Sequence, residues 1–208
     1  MIVYCADIGS IKQNRFGWAR VDTTSTSPDA ETIGQRPDKL VELVAADLSN
    51  ERVALGFECP LFIPLRAEPA DMMKARRGEG NRAWSAGAGL TVMTLGLVQV
   101  AWVLERVAAR LESQILAFVD WAAFSSSPRG LFVWEAFVSA GGKYRGNLDP
   151  HAQDALIAVR RFVAALPDPT TSNAIDEPVV YSLAGAALLR SGMSRDPDLV
   201  SQPTLVIR

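Results

Sequence analysis

The amino-acid sequence predicts an α/β protein, a mixed sheet flanked by helices, on three observations. Short apolar runs near the start are joined by a brief polar link, as in a hairpin. Later apolar runs alternate with stretches of helical period. Two segments, Arg52 to Cys59 and Leu131 to Phe137, are almost continuously apolar, as strands covered on both faces are.

Taken in order, Ile2 to Ile8 is an apolar run ending in Asp7-Ile8-Gly9-Ser10, a strand entering a turn. Phe16 to Val21 is its partner, and the polar link Ser10 to Arg15 makes the two a hairpin. Residues 22–30 are rich in Thr, Ser, Asp and Pro and form a loop before a short strand at Glu31 to Gly34. Pro37 opens a helix, with Leu40, Val41, Val44, Ala45 and Leu48 at helical spacing. The strand Arg52 to Cys59 is stopped by Pro60, and Leu65 to Gly89 follows with no clean period. A long helix is expected next, because Met93, Leu97, Val100, Leu104, Val107, Leu111, Ile115 and Phe118 recur at steps of three and four. Ser125 to Gly130 breaks the chain ahead of Leu131 to Phe137. Asp149-Pro150 is an N-cap acid with proline at the first helical position, and Leu156, Val159, Val163 and Leu166 give that helix an apolar side. Asp168 to Pro178 reads as a loop, Tyr181 to Arg190 as a helix, and Thr204 to Ile207 as a terminal strand. No internal repeat is present. A strand that returns after a helix is expected parallel to its predecessor.

Composition narrows the function classes. The chain has 208 residues, 49% of them hydrophobic, and its 21 basic and 23 acidic side chains leave a net charge of -2. A length like this buries roughly 70% of the unfolded surface, enough for one domain without staples. Disorder is excluded by the apolar content, and two cysteines, Cys5 and Cys59, cannot build a disulfide scaffold. Small buried thiols in a reduced, cytoplasmic setting are expected instead. The N-terminus lacks a basic leader, so no signal peptide is read there. Ser85 to Leu104 carries no charge and has the length of a bilayer span, yet it holds three glycines, two threonines and Gln99. A buried core helix is expected there, and no membrane partner. Near neutrality also argues against a broadly basic nucleic-acid sheath, so a polyanion would be met by a local patch.

Four carboxylates stand where packing does not ask for them. Asp7 ends the first strand, Glu58 lies in Val53-Ala54-Leu55-Gly56-Phe57-Glu58, Glu135 interrupts Leu131 to Phe137, and Asp154 stands in the second turn of the Asp149 helix. A carboxylate buried alone is costly, so such groups acquire a partner charge or a metal. If the strands run parallel, Asp7, Glu58 and Glu135 emerge at the carboxyl edge of the sheet, where open α/β sheets place ligands. Hard oxygen ligands suit Mg2+ or Mn2+, and two such ions can drive phosphodiester cleavage. The structural alternatives are a turn cap for Asp7, an arginine pair such as Arg66 or Arg77 for Glu58, and a favourable helix-dipole position for Asp154.

Asp7-Ile-Gly-Ser, then Phe16-Gly17-Trp18-Ala19, Gly56-Phe57-Glu58-Cys59-Pro60-Leu61-Phe62-Ile63-Pro64, Trp134-Glu135-Ala136-Phe137 and Gln153-Asp154-Ala155-Leu156 together resemble the domain-of-unknown-function 429 family. That family is described as predicted nucleases of RNase H-like fold. The resemblance implies one RNase H-like domain over residues 1–208, with residues 65–130 a helical insertion between the fourth and fifth strands. It implies Asp7, Glu58 and Asp154 as metal ligands, with Glu135 as an added acid. The chain departs from the family where Glu58 replaces a common Asp, and where the proline usual after the acid near Glu135 is missing.

Lys74, Arg76, Arg77 and Arg82 make a basic cluster beside Trp84, suited to phosphates and a stacked base. Lys12, Arg15, Lys143 and Arg145 are expected near the same sheet edge, and Lys12, Arg77, Arg82 and Lys143 are the candidate substrate contacts. His151 is the only histidine, a first-turn residue with a proton-shuttle alternative. CxxC, Walker A and dinucleotide GxGxxG motifs are all absent. The leading expectation is a Mg2+- or Mn2+-dependent nuclease or phosphodiesterase acting on nucleic acid or another phosphodiester. Asp-Ile-Gly-Ser also resembles the first phosphate loop of actin-like kinases, which use two such halves. A third possibility is a non-catalytic binding module of the same fold. Substrate type and oligomeric state are open at this point.

Overall fold

The computed structural model describes residues 1–25, 30–80, 83–137 and 149–208. The first hairpin forms as expected. β1 (Ile2–Asp7) pairs antiparallel with β2 (Gly17–Asp22), which pairs in turn with β3 (Glu31–Gly34). Helix α1 (Pro37–Leu48) leads to β4 (Val53–Glu58), parallel to β1. The short β5 (Phe62–Pro64) follows, then α2 (Gly87–Ala108), β6 (Ala117–Phe118), α3 (Trp121–Ser126) and β7 (Leu131–Ala136). Helix α4 (Pro150–Ala164), β8 (Val180–Ser182), α5 (Leu183–Arg190) and β9 (Val206–Ile207) complete the chain.

The sheet is mixed and seven-stranded, in the order β3-β2-β1-β4-β7-β6, with β9 also on β7. Because side chains alternate along a strand, each strand feeds two cores. Ile2, Tyr4 and Ala6, Val53, Leu55 and Phe57, and Leu131 and Val133 point to the face covered by α1, α2 and α5. Val3, Cys5, Ala54, Phe132, Trp134 and Ala136 point to the other face, covered by α3 and α4. This α/β architecture, with a mixed sheet flanked by helices, is the expected class.

Several local readings change. The long helix stops at Ala108, and the stripe beyond it belongs to a turn and to β6. Leu97, expected in the core, is 48% exposed, whereas Val100, Leu104 and Val107 are buried. Helix α4 buries Ala152, Ala155, Val159 and Phe162 most deeply, while Leu156, Val163 and Leu166 of the expected stripe are partly buried against the same core. Alanines let it lie close on β1 and β2, and Phe162 docks 4.7 Å from the Trp134 ring centroid. Val180 to Ser182 is a strand paired with β5, and its Ser182 hydroxyl accepts from Gly185 N–H at 3.1 Å to start α5. Residues 65–130 hold β6 as well as helices, and α2 supplies Val100, Val103, Leu104 and Val107 to the core of the first face.

Candidate active site

β1 and β4 run parallel in a register that sets Asp7 directly beside Glu58. Both belong to the alternate set that faces α4, so two acids end neighbouring strands on the same face. Helix α4 reaches them through Gly17, the register partner of Asp7, where a Cβ would come within 2.3 Å of Ala152 N. Asp149 caps the helix by accepting from Ala152 N–H at 3.0 Å, and Pro150 pre-sets its first turn. His151 thereby lies against β1, with Nδ1 2.5 Å from Asp7 Oδ2. Asp154 stands three residues further along the helix, one turn from His151 on the same side.

Burial and mutual repulsion dominate this group. The Asp7 carboxyl is pushed up to about 8, first by burial, then by the charges of Asp154 and Asp149. Glu58 is likewise pushed up to about 8 by burial, then by Asp7 and Asp154, while Arg161 pulls the other way more weakly. Glu58 is 9% exposed, and its Oε2 is buried with no hydrogen-bond partner. Trp134 Nε1, on the same face of the neighbouring strand, is also buried and unpartnered. Burial, Glu58 and Asp7 together keep the Cys5 thiol protonated, and both cysteines are unpaired and buried. Three hard, mutually repelling carboxylates with an orphaned oxygen are a donor set that fits a hard divalent cation. They are not drawn together yet. Among the described residues no group of three or more His, Cys, Asp or Glu side chains is placed closely enough to hold an ion.

Glu135 is not brought into this group. Its register partner is Phe57 rather than Glu58, so it projects from the opposite face. There Arg76 donates to both its oxygens, at 2.6 and 2.8 Å, and Leu61 N–H donates to Oε2 at 2.8 Å. Arg76 also holds Glu79 and stacks on Phe62, 4.7 Å from the ring centroid. Glu135 is therefore a saturated structural acid, and its expected part in the acidic site is corrected on that ground. A cavity of about 350 Å3 lies beside it, between Cys59, Trp84, Gly89 and Phe137. Its lining includes Gly87, Gly89 and Val92 of α2 and neither Asp7 nor Glu58.

The expected basic cluster divides. Arg76 is 3% exposed and committed to Glu135 and Glu79, so it is not the surface cation that the cluster was expected to offer. Lys74 is exposed and pairs with Asp71, and Trp84 is 5% exposed with its indole N–H donated to Lys74 O, so it offers no stacking face at the outer surface. The arginines weighed as partners of Glu58 are engaged elsewhere: Arg66 binds Glu177 at 2.7 and 2.8 Å, and Arg77 donates its backbone N–H to the same carboxylate. The Arg77 side chain is exposed, as are Lys12 and Arg15 in the turn after β1. Arg82, Lys143 and Arg145 lie outside the described residues. The sequence reading missed the His151–Asp7 contact and the opposite facing of Glu135. No local signal gives the latter, because only the register of β4 against β7 sets Glu135 beside Phe57 rather than Glu58.

No family model, curated protein or solved structure matches the chain. Fold and site alone therefore define its class, an α/β protein with a buried acidic group at the carboxyl edge of a mixed sheet.

Proposed function

We propose that the protein is a divalent-metal-dependent phosphodiester hydrolase of the RNase H-like kind, in line with the resemblance to the domain-of-unknown-function 429 family. One observation carries the reading. Asp7, Glu58 and Asp154 arrive from β1, β4 and α4 on one face of the sheet's carboxyl edge, and their dominant mutual effect is repulsion. Hairpin-linked β1, β2 and β3 followed by parallel β1, β4 and β7 support the fold assignment.

Asp7, Glu58 and Asp154 would hold Mg2+ or Mn2+. Bound there, the ion supplies Lewis-acid stabilisation of phosphoryl oxygens and lowers the pKa of water. The chain's own residues do the rest. Asp7 and Glu58 must each give up a proton before they can ligate, which ties binding to pH. His151 Nδ1 meets Asp7 Oδ2 and fixes the orientation of that carboxylate. Lys12 and Arg77, both exposed, are the described candidates for substrate phosphates, with Arg82 and Lys143 proposed from sequence.

A non-catalytic module of the same fold is the second reading, favoured by the absence of a close three-ligand cluster among the described residues. Titration calorimetry with Mn2+ at pH 8, alongside hydrolysis of DNA, RNA and a small phosphodiester, separates the two. The hydrolase reading expects ion binding and cleavage, with Asp7→Asn and Glu58→Gln each lowering the rate by about 100-fold or more. Ion binding without cleavage of any substrate class, or unchanged cleavage by Asp7→Asn, would overturn it.

A further inference from the structure

The cavity beside Glu135 poses a separate problem. Its volume of about 350 Å3 lies at the small end of the ~300–1,000 Å3 typical of ligand sites. Much of the wall is apolar, from Cys59, Pro60, Val92 and Phe137. Trp84 adds an aromatic side, its ring held in place by the indole N–H donated to Lys74 O. Three charged side chains reach the same wall: Arg76, Glu79 and Glu135 are each 3% exposed or less. An apolar cavity with a few convergent polar groups is the ordinary form of a small-molecule site.

We propose that this cavity binds a free α-amino acid with an apolar or aromatic side chain. Charge selects the inner end. Arg76 has no N–H left for a ligand: Nε donates to Glu79, Nη1 to Glu135 and Phe62 O, and Nη2 to Glu135 with Glu79 3.0 Å away. Among the described residues, one guanidinium thus serves two buried carboxylates. Glu135 takes the bidentate contact, so the excess negative charge lies on Glu79. A buried carboxylate short of a full counter-charge favours a cation. Glu79 accepts Arg76 Nε on Oε1 at 3.0 Å and Arg76 backbone N–H on Oε2 at 2.8 Å, and each oxygen keeps a lone pair for an ammonium. The mouth has the opposite chemistry. Ala86, Gly87 and Ala88 line the cavity and are exposed, and α2 starts there with no side-chain cap and no acid in its first turn. Its first N–H groups have no partner within the helix. Gly87 has φ +52°, and a Cβ on it would meet nothing within 4 Å, so this end of the helix is open to a carboxylate. Ammonium and carboxylate on one carbon, with an apolar side chain, meet the inner acid, the helix end and the apolar wall together.

The test uses the whole chain and is independent of the hydrolase reading. Titration calorimetry at pH 7 with L-phenylalanine and L-leucine should show saturable binding, and each should raise Tm. 2-Phenylethylamine and 3-phenylpropionate, each lacking one of the two charges, should bind about tenfold more weakly or worse. Glycine, without the apolar side chain, should lose about tenfold or more. Glu79→Gln should weaken L-phenylalanine about tenfold or more while leaving 3-phenylpropionate nearly unchanged, a split that a merely loosened fold would not give. Val92→Phe, at a half-buried wall position, should fill the cavity and abolish binding without lowering Tm. No binding of either amino acid at about 10 mM would overturn the proposal. So would a one-charge analogue binding as tightly as L-phenylalanine, or binding indifferent to both variants. The analogue series needs only the unaltered chain, so the proposal stays open to refutation if a variant fails to fold.

Discussion

At the carboxyl edge of its sheet the protein buries acids on both faces, and on one of them a buried arginine holds a carboxylate by two hydrogen bonds. On the α2 side, Glu135 and Glu79 share Arg76, and a backbone N–H completes Glu135. On the α4 side, Asp7 meets His151 and is repelled by Asp154 and Asp149, and Glu58 is repelled by Asp7 and Asp154, with Arg161 the weaker opposing influence on Glu58. The two sets differ in chemistry rather than depth, since Glu58 and Glu135 are both buried. A saturated buried pair holds a fold together, whereas repelling buried acids cost stability and mark a candidate functional site. Position in the sheet is thus no guide to role, and the partner atoms are.

Removing Arg76 should expose that contrast most strongly. Arg76→Ala leaves two buried carboxylates without their cation, a loss of about 3–5 kcal/mol. For a chain of this size the fall in Tm is on the order of 10 °C, measured by calorimetry at pH 7. Glu135→Gln should cost less, because Arg76 keeps Glu79. A Tm unchanged by Arg76→Ala would mean that the two faces do not differ as described.

The second set should behave in the opposite sense. Asp7 and Glu58 titrate near 8 in the folded chain, against 3.8 and 4.5 for ordinary carboxyls. Between these limits the folded state binds more protons than the unfolded state, so stability is greatest below about pH 4 as far as these groups are concerned. It falls as pH rises towards 8 and levels off above. Thermal melts of the metal-free protein from pH 4 to pH 9 should follow that course, with Glu58→Gln flattening it and raising Tm by a few degrees at pH 8. Mn2+ at pH 8 should restore Tm in the unaltered chain and do nothing for the Asp7→Asn/Glu58→Gln double variant. A Tm that climbs from pH 4 to pH 8 without metal would contradict the assigned electrostatics.

How far the sequence disclosed this contrast depends on the residue. Asp7 and Glu58 were legible because each terminates an apolar strand, and parallel pairing then makes them neighbours. The Asp149-Pro150 start of α4 was legible from capping chemistry, and with it the placement of Asp154. Glu135 looked equivalent in composition, but a one-residue offset against β4 turned it to the other face. Register is a tertiary property, and composition within a strand does not report it. Arg76 was grouped with its surface neighbours Lys74 and Arg77, since nothing local shows that a distant glutamate draws it inside. Val159 was read correctly on the buried side of α4, but its deepest line also runs through the small Ala152 and Ala155 and through Phe162, with Leu156 and Leu166 at its margin.

Pairing without burial supplies the control, and the smallest effect. Glu31 and Arg160 join β3 to α4 through two hydrogen bonds of 2.6 and 2.8 Å, a geometry as good as that of Glu135 and Arg76. The pair is 36% and 58% exposed, so water screens it and the carboxyl is held only somewhat below its usual range. A double-mutant cycle with Glu31→Ala and Arg160→Ala should return a coupling of about 0–1 kcal/mol, shrinking further as salt rises from 0.05 to 0.5 M. If this exposed pair proved worth as much as Arg76, geometry alone would govern these carboxylates. The distinction between the two faces rests instead on burial: the same bidentate contact stabilises little where water competes and is indispensable where it does not.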